Sequence, residues 1–324
     1  MRRTNKSYSI GAGALTAIAL SLLSLTGCGA AGDTQGASAP AQEETVEEPK
    51  TEEQAETQDE SATDLQEQTD EVAETEAEES SDKESSAESE TFRKIKENGF
   101  ITFATEGTYA PYSFHDDNNE LVGFDVEVAQ AIAGKIGVEA KFTETQWDGI
   151  IAGLDANKYD AISNQVSITP ERQEKYLFSD PYTYVYGVVI VGEDNDEIGS
   201  FEDLDGKDVS LTVTSNWAQV AESYGGKIVS TSGFNESIQL VLQGRADATV
   251  NDNVTFYDFI ANQPDAKAKI VATSDEATES AILIRKGDDD LQAAVNEALA
   301  QLREEGKLKE ISEKYFGTDI TVPN

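Results

Sequence analysis

Arg172 sits in Ser167-Ile168-Thr169-Pro170-Glu171-Arg172, where Thr169 is placed to cap a helix and Pro170 to occupy its first position. A guanidinium in a first helical turn is disfavoured by the helix dipole, so it asks for an anionic partner. A carboxylate gripped by both prongs of the guanidinium meets that need and is worth about 1.5 to 3 kcal/mol. A salt bridge to Glu171 or Asp180 would meet it from within the chain. Asp252, just after the apolar run ending at Val250, can accept from an ammonium group, and it can equally cap a helix from Val254. Thr214-Ser215-Asn216, ahead of a helix containing Trp217, offer hydroxyl, amide and free main-chain N–H groups suited to a carboxylate. Arg172 and Asp252 on opposite walls would clamp a zwitterion, with closure driven by the ligand.

Tyr109 and Tyr112 lie in Glu106-Gly107-Thr108-Tyr109-Ala110-Pro111-Tyr112, where Gly and Pro favour a loop that holds the rings over a cleft or lets them cap the core. Trp147 opens a helix with Asp148 in its first turn and can wall a pocket or pack inward. Other chemistry lacks its residues. His115, the only histidine, falls in the turn-like Phe114-His115-Asp116-Asp117-Asn118-Asn119 and reads as a surface residue. With no cysteine beyond Cys28, Cys/His metal sites and nucleophilic pairs are not expected. The run Asp194 to Gly199 resembles a calcium loop, but Ile198 and Asp205 stand where ligands should, and no phosphate-cradling glycine loop occurs. No cofactor or metal is expected.

The elements that must hold these groups alternate between strand and helix. Phe100–Ala104, Ala140–Phe142 and Tyr159–Ser163 read as strands, with helices over Phe124–Ile136 and Trp147–Leu154. The long run Tyr182–Val191 reads as a strand crossing to a second lobe. There Val209–Val213, Lys227–Ser230, Ala246–Val250 and Lys269–Ala272 are expected strands, with helices over Ala218–Tyr224 and Ser237–Leu242. Ala281–Arg285 returns to the first lobe, and helices Leu291–Leu302 and Leu308–Tyr315 close the chain, with Gly306 near the end of the first. The expected fold is α/β with two lobes, residues 92–186 plus 282–324 and residues 187–281, joined by two crossing strands as a hinge. Such sheets bind ligands at the carboxyl ends of their strands.

Residues 1–27 carry Arg2, Arg3 and Lys6 before an apolar stretch of about 16 residues, short of the ~20 that a spanning helix needs. They read as a secretory signal. From Gly29 to Thr91 the chain holds 22 acids against two lysines and almost no large apolar side chains, which marks residues 28–91 as a disordered acidic tether. The net charge is -39, and acids outnumber bases in the folded part too, so nucleic acid is excluded as a partner.

Leu25-Thr26-Gly27-Cys28 resembles the bacterial lipobox, which implies lipid on Cys28 and a membrane-anchored, extracytoplasmic protein. The segments GTYAPYSF (107–114), GFDV (123–126), WDGIIAGL (147–154), YDAISNQVSITPERQEKYLFSD (159–180), TSNWAQVA (214–221), GRADATVND (244–252) and SEKYFG (312–317) resemble the family 3 extracellular solute-binding proteins, the cystine-binding members most closely. The resemblance implies a periplasmic-binding-protein-like type II fold and a non-enzymatic, monomeric binding component of an amino-acid importer. Its partners would be an ABC permease and ATPase. It also implies roles: Arg172 for the ligand carboxylate, Asp252 for the ammonium, Tyr109 and Trp147 as walls. Gln165 and Ser167 would add contacts from the same loop as Arg172, Ser215 and Asn216 would receive the carboxylate, and Glu106 would read the side chain. The Thr-Ser-Asn-Trp segment inclines the ligand to L-cystine. A sensor domain and a dehydratase on the same fold are the alternatives.

Overall fold

The computed structural model describes residues 88–323. The expected signal, Cys28 and nearly all of the expected tether lie outside them. Folded structure begins earlier than expected, because Ser89 caps a helix by accepting from the Phe92 main-chain N–H at 3.1 Å. That helix, α1 (Glu90–Asn98), ends on Gly99, which takes the left-handed conformation that glycine tolerates.

The chain continues through β1 (Phe100–Thr105), a small antiparallel sheet of β2 (Thr108–Tyr109), β3 (Ser113–His115) and β4 (Leu121–Val122), then α2 (Phe124–Ile136), β5 (Glu139–Glu144), α3 (Trp147–Asp155) and β6 (Ala161–Ser167). Next come α4 (Pro170–Lys175), β7 (Tyr176–Phe178) and β8 (Thr183–Gly192). After a single 3-10 turn at Glu202–Leu204 follow β9 (Asp208–Leu211), α5 (Asn216–Ser223), β10 (Lys227–Ser230), α6 (Phe234–Leu242), β11 (Ala248–Asp252) and α7 (Asn253–Asn262). The chain closes with β12 (Ala268–Arg285), α8 (Asp289–Glu304) and α9 (Lys307–Phe316).

One sheet runs through both lobes in the order β10-β9-β11-β8-β12-β6-β1-β5, with β7 added beside β12. Each lobe contributes a parallel set, β6, β1 and β5 on one side and β10, β9 and β11 on the other. The antiparallel strands β8 and β12 cross between them. The apolar run of β8 follows from burial on both faces. Val189 and Val191 face Val209, Leu211 and Trp217, while Val188 and Ile190 face Phe234, Phe256 and Phe259. The other lobe packs Ile101, Phe103, Phe124 and Ile132 against Leu291, Leu299 and Ile311 of the closing helices.

Two expected strands are one. Lys269–Ala272 and Ala281–Arg285 both belong to the 18-residue β12, whose register against β8 slips between Thr273 and Ala277. The polar Ser274-Asp275-Glu276 forms the bulge, tied by the Gly187 N–H donating to Ser274 Oγ at 3.0 Å. The strand expected at Tyr159–Ser163 begins at Ala161 and extends to Ser167. Val213 lies outside β9 and is 53 % exposed.

Candidate functional site

The carboxyl ends of β1, β6, β9 and β11 meet at a cavity between the lobes, where open α/β sheets place their ligands. On the first-lobe wall Glu106 follows β1 directly. Asn164, almost fully buried, accepts from the Glu106 main-chain N–H at 2.8 Å and from Thr105 Oγ1 at 2.9 Å, and returns a bond from Nδ2 to Glu106 Oε2 at 2.8 Å. Asn164 therefore fixes both ends of Glu106. Burial pushes the Glu106 carboxyl up to about 7, against the lowering effect of the Asn164 bond.

The next residue, Gln165, has φ 49 inside β6, a left-handed backbone uncommon outside glycine. It is held by Asp125, which is fully buried and accepts from the Gln165 main-chain N–H at 2.8 Å, from Gln165 Nε2 at 2.7 Å and from the Tyr182 hydroxyl at 2.9 Å. Thr183 Oγ1 donates to Gln165 Oε1 at 2.8 Å. Both ends of this side-chain amide are thus engaged by the fold, although Gln165 lines the cavity.

Arg172 sits as the local sequence requires. Thr169 caps α4 by accepting from the Arg172 main-chain N–H at 3.3 Å, with Pro170 in the first position. The guanidinium donates to the Ser167 carbonyl at 3.0 Å and reaches across the cleft to the Thr214 carbonyl at 3.3 Å, lying 5.4 Å from the Trp147 ring centre. Neither Glu171 nor Asp180 pairs with it among the described residues. Burial draws its pKa down to about 10. The Trp147 indole N–H is buried without an acceptor among the described residues.

On the second-lobe wall, Asp252 occupies the position before α7, yet its side chain makes no capping bond. It turns inward instead. Oδ1 accepts from Trp217 Nε1 at 3.0 Å, and Oδ2 accepts from the Tyr112 hydroxyl at 3.1 Å and shares the Tyr109 hydroxyl, at 3.3 Å, with the nearer Asn251 Oδ1. Burial still pushes the carboxyl up to about 6, because none of these donors carries charge. Ser215 caps α5 by accepting from the Trp217 main-chain N–H at 3.1 Å, and Asn216 is the first residue of that helix. The first turn of a helix leaves main-chain N–H groups without intrahelical partners.

The two walls touch. Tyr109 donates to Asn251 Oδ1 at 2.8 Å, Thr214 Oγ1 to Asp148 Oδ1 at 2.7 Å, and Asn235 Nδ2 to the Thr108 carbonyl at 3.1 Å. The cavity leaves about 50 Å³ for solvent-sized occupants. That admits a few waters, far below the ~300 Å³ or more of small-molecule sites, so a ligand enters only when the lobes part.

Glu106, Tyr109, Trp147, Gln165, Ser167, Ser215, Asn216 and Asp252 all line this cavity, and Arg172 closes it over Trp147. Asn164, Thr212, Trp217, Phe234 and Asn251 line it as well and were not anticipated as site residues. Tyr112 is fully buried among Phe124 and Phe316, with only its hydroxyl turned to Asp252. His115 lies at the surface, its Nε2 3.4 Å from Glu144. Among the described residues no cluster of metal-ligating side chains occurs and no helix is long and apolar enough to cross a membrane.

The family model for bacterial extracellular solute-binding proteins, family 3, matches residues 101–318. An L-cystine-binding protein of Bacillus subtilis is 37 % identical over 233 residues, 72 % of this chain and 87 % of that protein. The structure resembles an arginine-binding protein mutant of T. maritima (33 % identity, TM-score 0.66, covering 70 % of this chain and 99 % of the other). It also resembles the unliganded, open L-cystine solute receptor of Neisseria gonorrhoeae (38 % identity, TM-score 0.52, covering 72 % of this chain and 100 % of the other). These relatives are binding proteins, not enzymes. The chain belongs to the bacterial extracellular solute-binding proteins, family 3.

Proposed function

We propose that this chain captures L-cystine between its lobes and delivers it to an ABC importer. The observation that carries this reading is the set of polar groups at the cavity, two carboxyls that suit ammonium groups, and Arg172 with the uncharged donors of Ser215, Asn216 and the start of α5 that suit carboxylates. Among the described residues the half-buried Glu106 and the buried Asp252 are carboxyls without a basic ion-pair partner, and Arg172 is a cation without an anionic one. A buried charge without a counter-charge is costly, so the ligand that closes the site should bring two cationic groups and a carboxylate, and the uncharged donors at Ser215, Asn216 and the start of α5 give a place to a second carboxylate. L-Cystine carries two ammonium and two carboxylate groups. One ammonium would meet Asp252 and the other Glu106, with the carboxylates on Arg172 and on Ser215, Asn216 and the start of α5. Tyr109 and Trp147 would flank the chain between, and Ser167 and the Gln165 backbone would complete the Arg172 loop. The cystine-binding names of the relatives support the same ligand.

The lobes would be residues 92–186 plus 282–324 and residues 187–281, moving about β8 and β12. The lower TM-score with the open cystine receptor, despite its higher identity, is what a different lobe separation produces. We further propose that lipid on Cys28 holds a monomer on the outer face of the membrane, where it meets its permease and ATPase.

Asp252→Ala tests the reading. It should weaken L-cystine binding far more than binding of dithiodipropionate, which has the same skeleton without ammonium groups. Isothermal titration of both ligands decides, and equal losses would return Asp252 to a structural role.

A further inference from the structure

Gly187 and Asp252 are directly opposite each other in the antiparallel pair of β8 and β11, as are Val189 with Val250 and Val191 with Ala248. Opposed residues share a face, so these three pairs form one column on the side covered by α5. The two lower pairs fill that face with aliphatic side chains. At the top the pattern breaks, and the indole of Trp217 lies where a side chain at 187 would stand: a Cβ there would come within 2.3 Å of Cζ3 and 2.4 Å of Cη2. The ring is 6 % exposed and lines the cavity, and its N–H reaches Asp252 Oδ1 at 3.0 Å. A buried indole N–H needs an acceptor, and a hydrogen bond to a carboxylate is of the stronger kind.

We infer that Trp217 is the positioning residue that sets Asp252 for ammonium recognition, and that position 187 is glycine because the ring requires the space. The bond fixes Oδ1 from the second-lobe side, and the tyrosine hydroxyls hold Oδ2 from the first. The carboxylate is thereby prevented from turning outward to cap α7, the role its place in the sequence would otherwise give it. Ammonium selectivity would then depend on a tryptophan 35 residues away and on an absent side chain across the sheet. This inference rests on the proposed amino-acid reading.

The full chain has two tryptophans, so its spectrum contains two indole N–H signals, which Trp147→Phe assigns. In the ligand-free protein Asp252→Ala and Gly187→Ala should each move the Trp217 signal upfield. Trp217→Phe keeps an aromatic ring, removes the donor and covers the case in which Gly187→Ala fails to fold. It should weaken L-cystine binding roughly tenfold or more and dithiodipropionate binding far less. An indole signal unmoved by Asp252→Ala, or equal losses for the two ligands, overturns the inference. A wild type that binds neither ligand overturns the proposed function and the recognition role with it. A wild type that binds L-cystine beside an unmoved indole signal overturns the Trp217 role alone.

Discussion

Arg172→Ala is expected to lower affinity for the amino-acid ligand by at least about thirtyfold, since truncating one partner of a buried, hydrogen-bonded charge pair costs roughly 2 to 5 kcal/mol. Among the described residues the guanidinium has no carboxylate to lose, only the Ser167 and Thr214 carbonyls, and its removal relieves a desolvated cation. Thermal stability of the ligand-free protein should therefore change little. Arg172→Lys should recover part of the affinity, because an ammonium keeps the charge but cannot present two parallel donors. Retained affinity in Arg172→Ala, measured by titration calorimetry, would make the arginine structural.

Asp125→Ala is expected to have the opposite profile, a large stability loss. It removes the acceptor for three buried donors, the Gln165 main-chain N–H, Gln165 Nε2 and the Tyr182 hydroxyl. An unmet buried donor costs about 1 to 3 kcal/mol, and relief of the buried carboxyl offsets part of the sum, leaving about 3 kcal/mol. That corresponds to roughly 6 to 12 °C in Tm for a folded part of this size. The pH dependence carries a definite sign. Burial raises Asp125 and Glu106 to about 7 and Asp252 to about 6, from ordinary values of 3.8, 4.5 and 3.8. Between about pH 4 and 7 the folded protein thus holds protons that the unfolded chain has released, so ligand-free stability falls as pH rises through that window. Amino-acid affinity should rise over its upper part, as Glu106 and Asp252 ionise to face ammonium groups. Asp125→Ala should flatten the stability slope, and thermal melts from pH 4 to 8 check both effects.

The alternation of β and α was legible because each element carries its own period, as in α2, whose bounds match the expected helix. The crossing of β8 was legible from its unbroken apolar run. What could not be read was long-range partnership. Asn164 and Gln165 look like loop residues following a strand, yet they lie within β6 because Glu106, Asp125 and Thr183 satisfy their amides. Asp252 is locally an ideal cap, and only Trp217, Tyr112 and Tyr109, brought in from distant segments, turn it inward. Arg172 was the easiest to find, since a cation in a first helical turn is already locally disfavoured.

The most direct test of the account is a calorimetric titration of the full chain, unfolded and refolded to remove carried ligand, with L-cystine, L-arginine, the other standard amino acids and dithiodipropionate. The polar lining of the cavity predicts one saturable site for L-cystine that tightens from pH 5 to 8, and much weaker binding of dithiodipropionate. Tight binding of L-arginine alone would keep the amino-acid site and discard cystine, while binding of dithiodipropionate as tight as that of L-cystine, or no binding by any amino acid, would contradict the account.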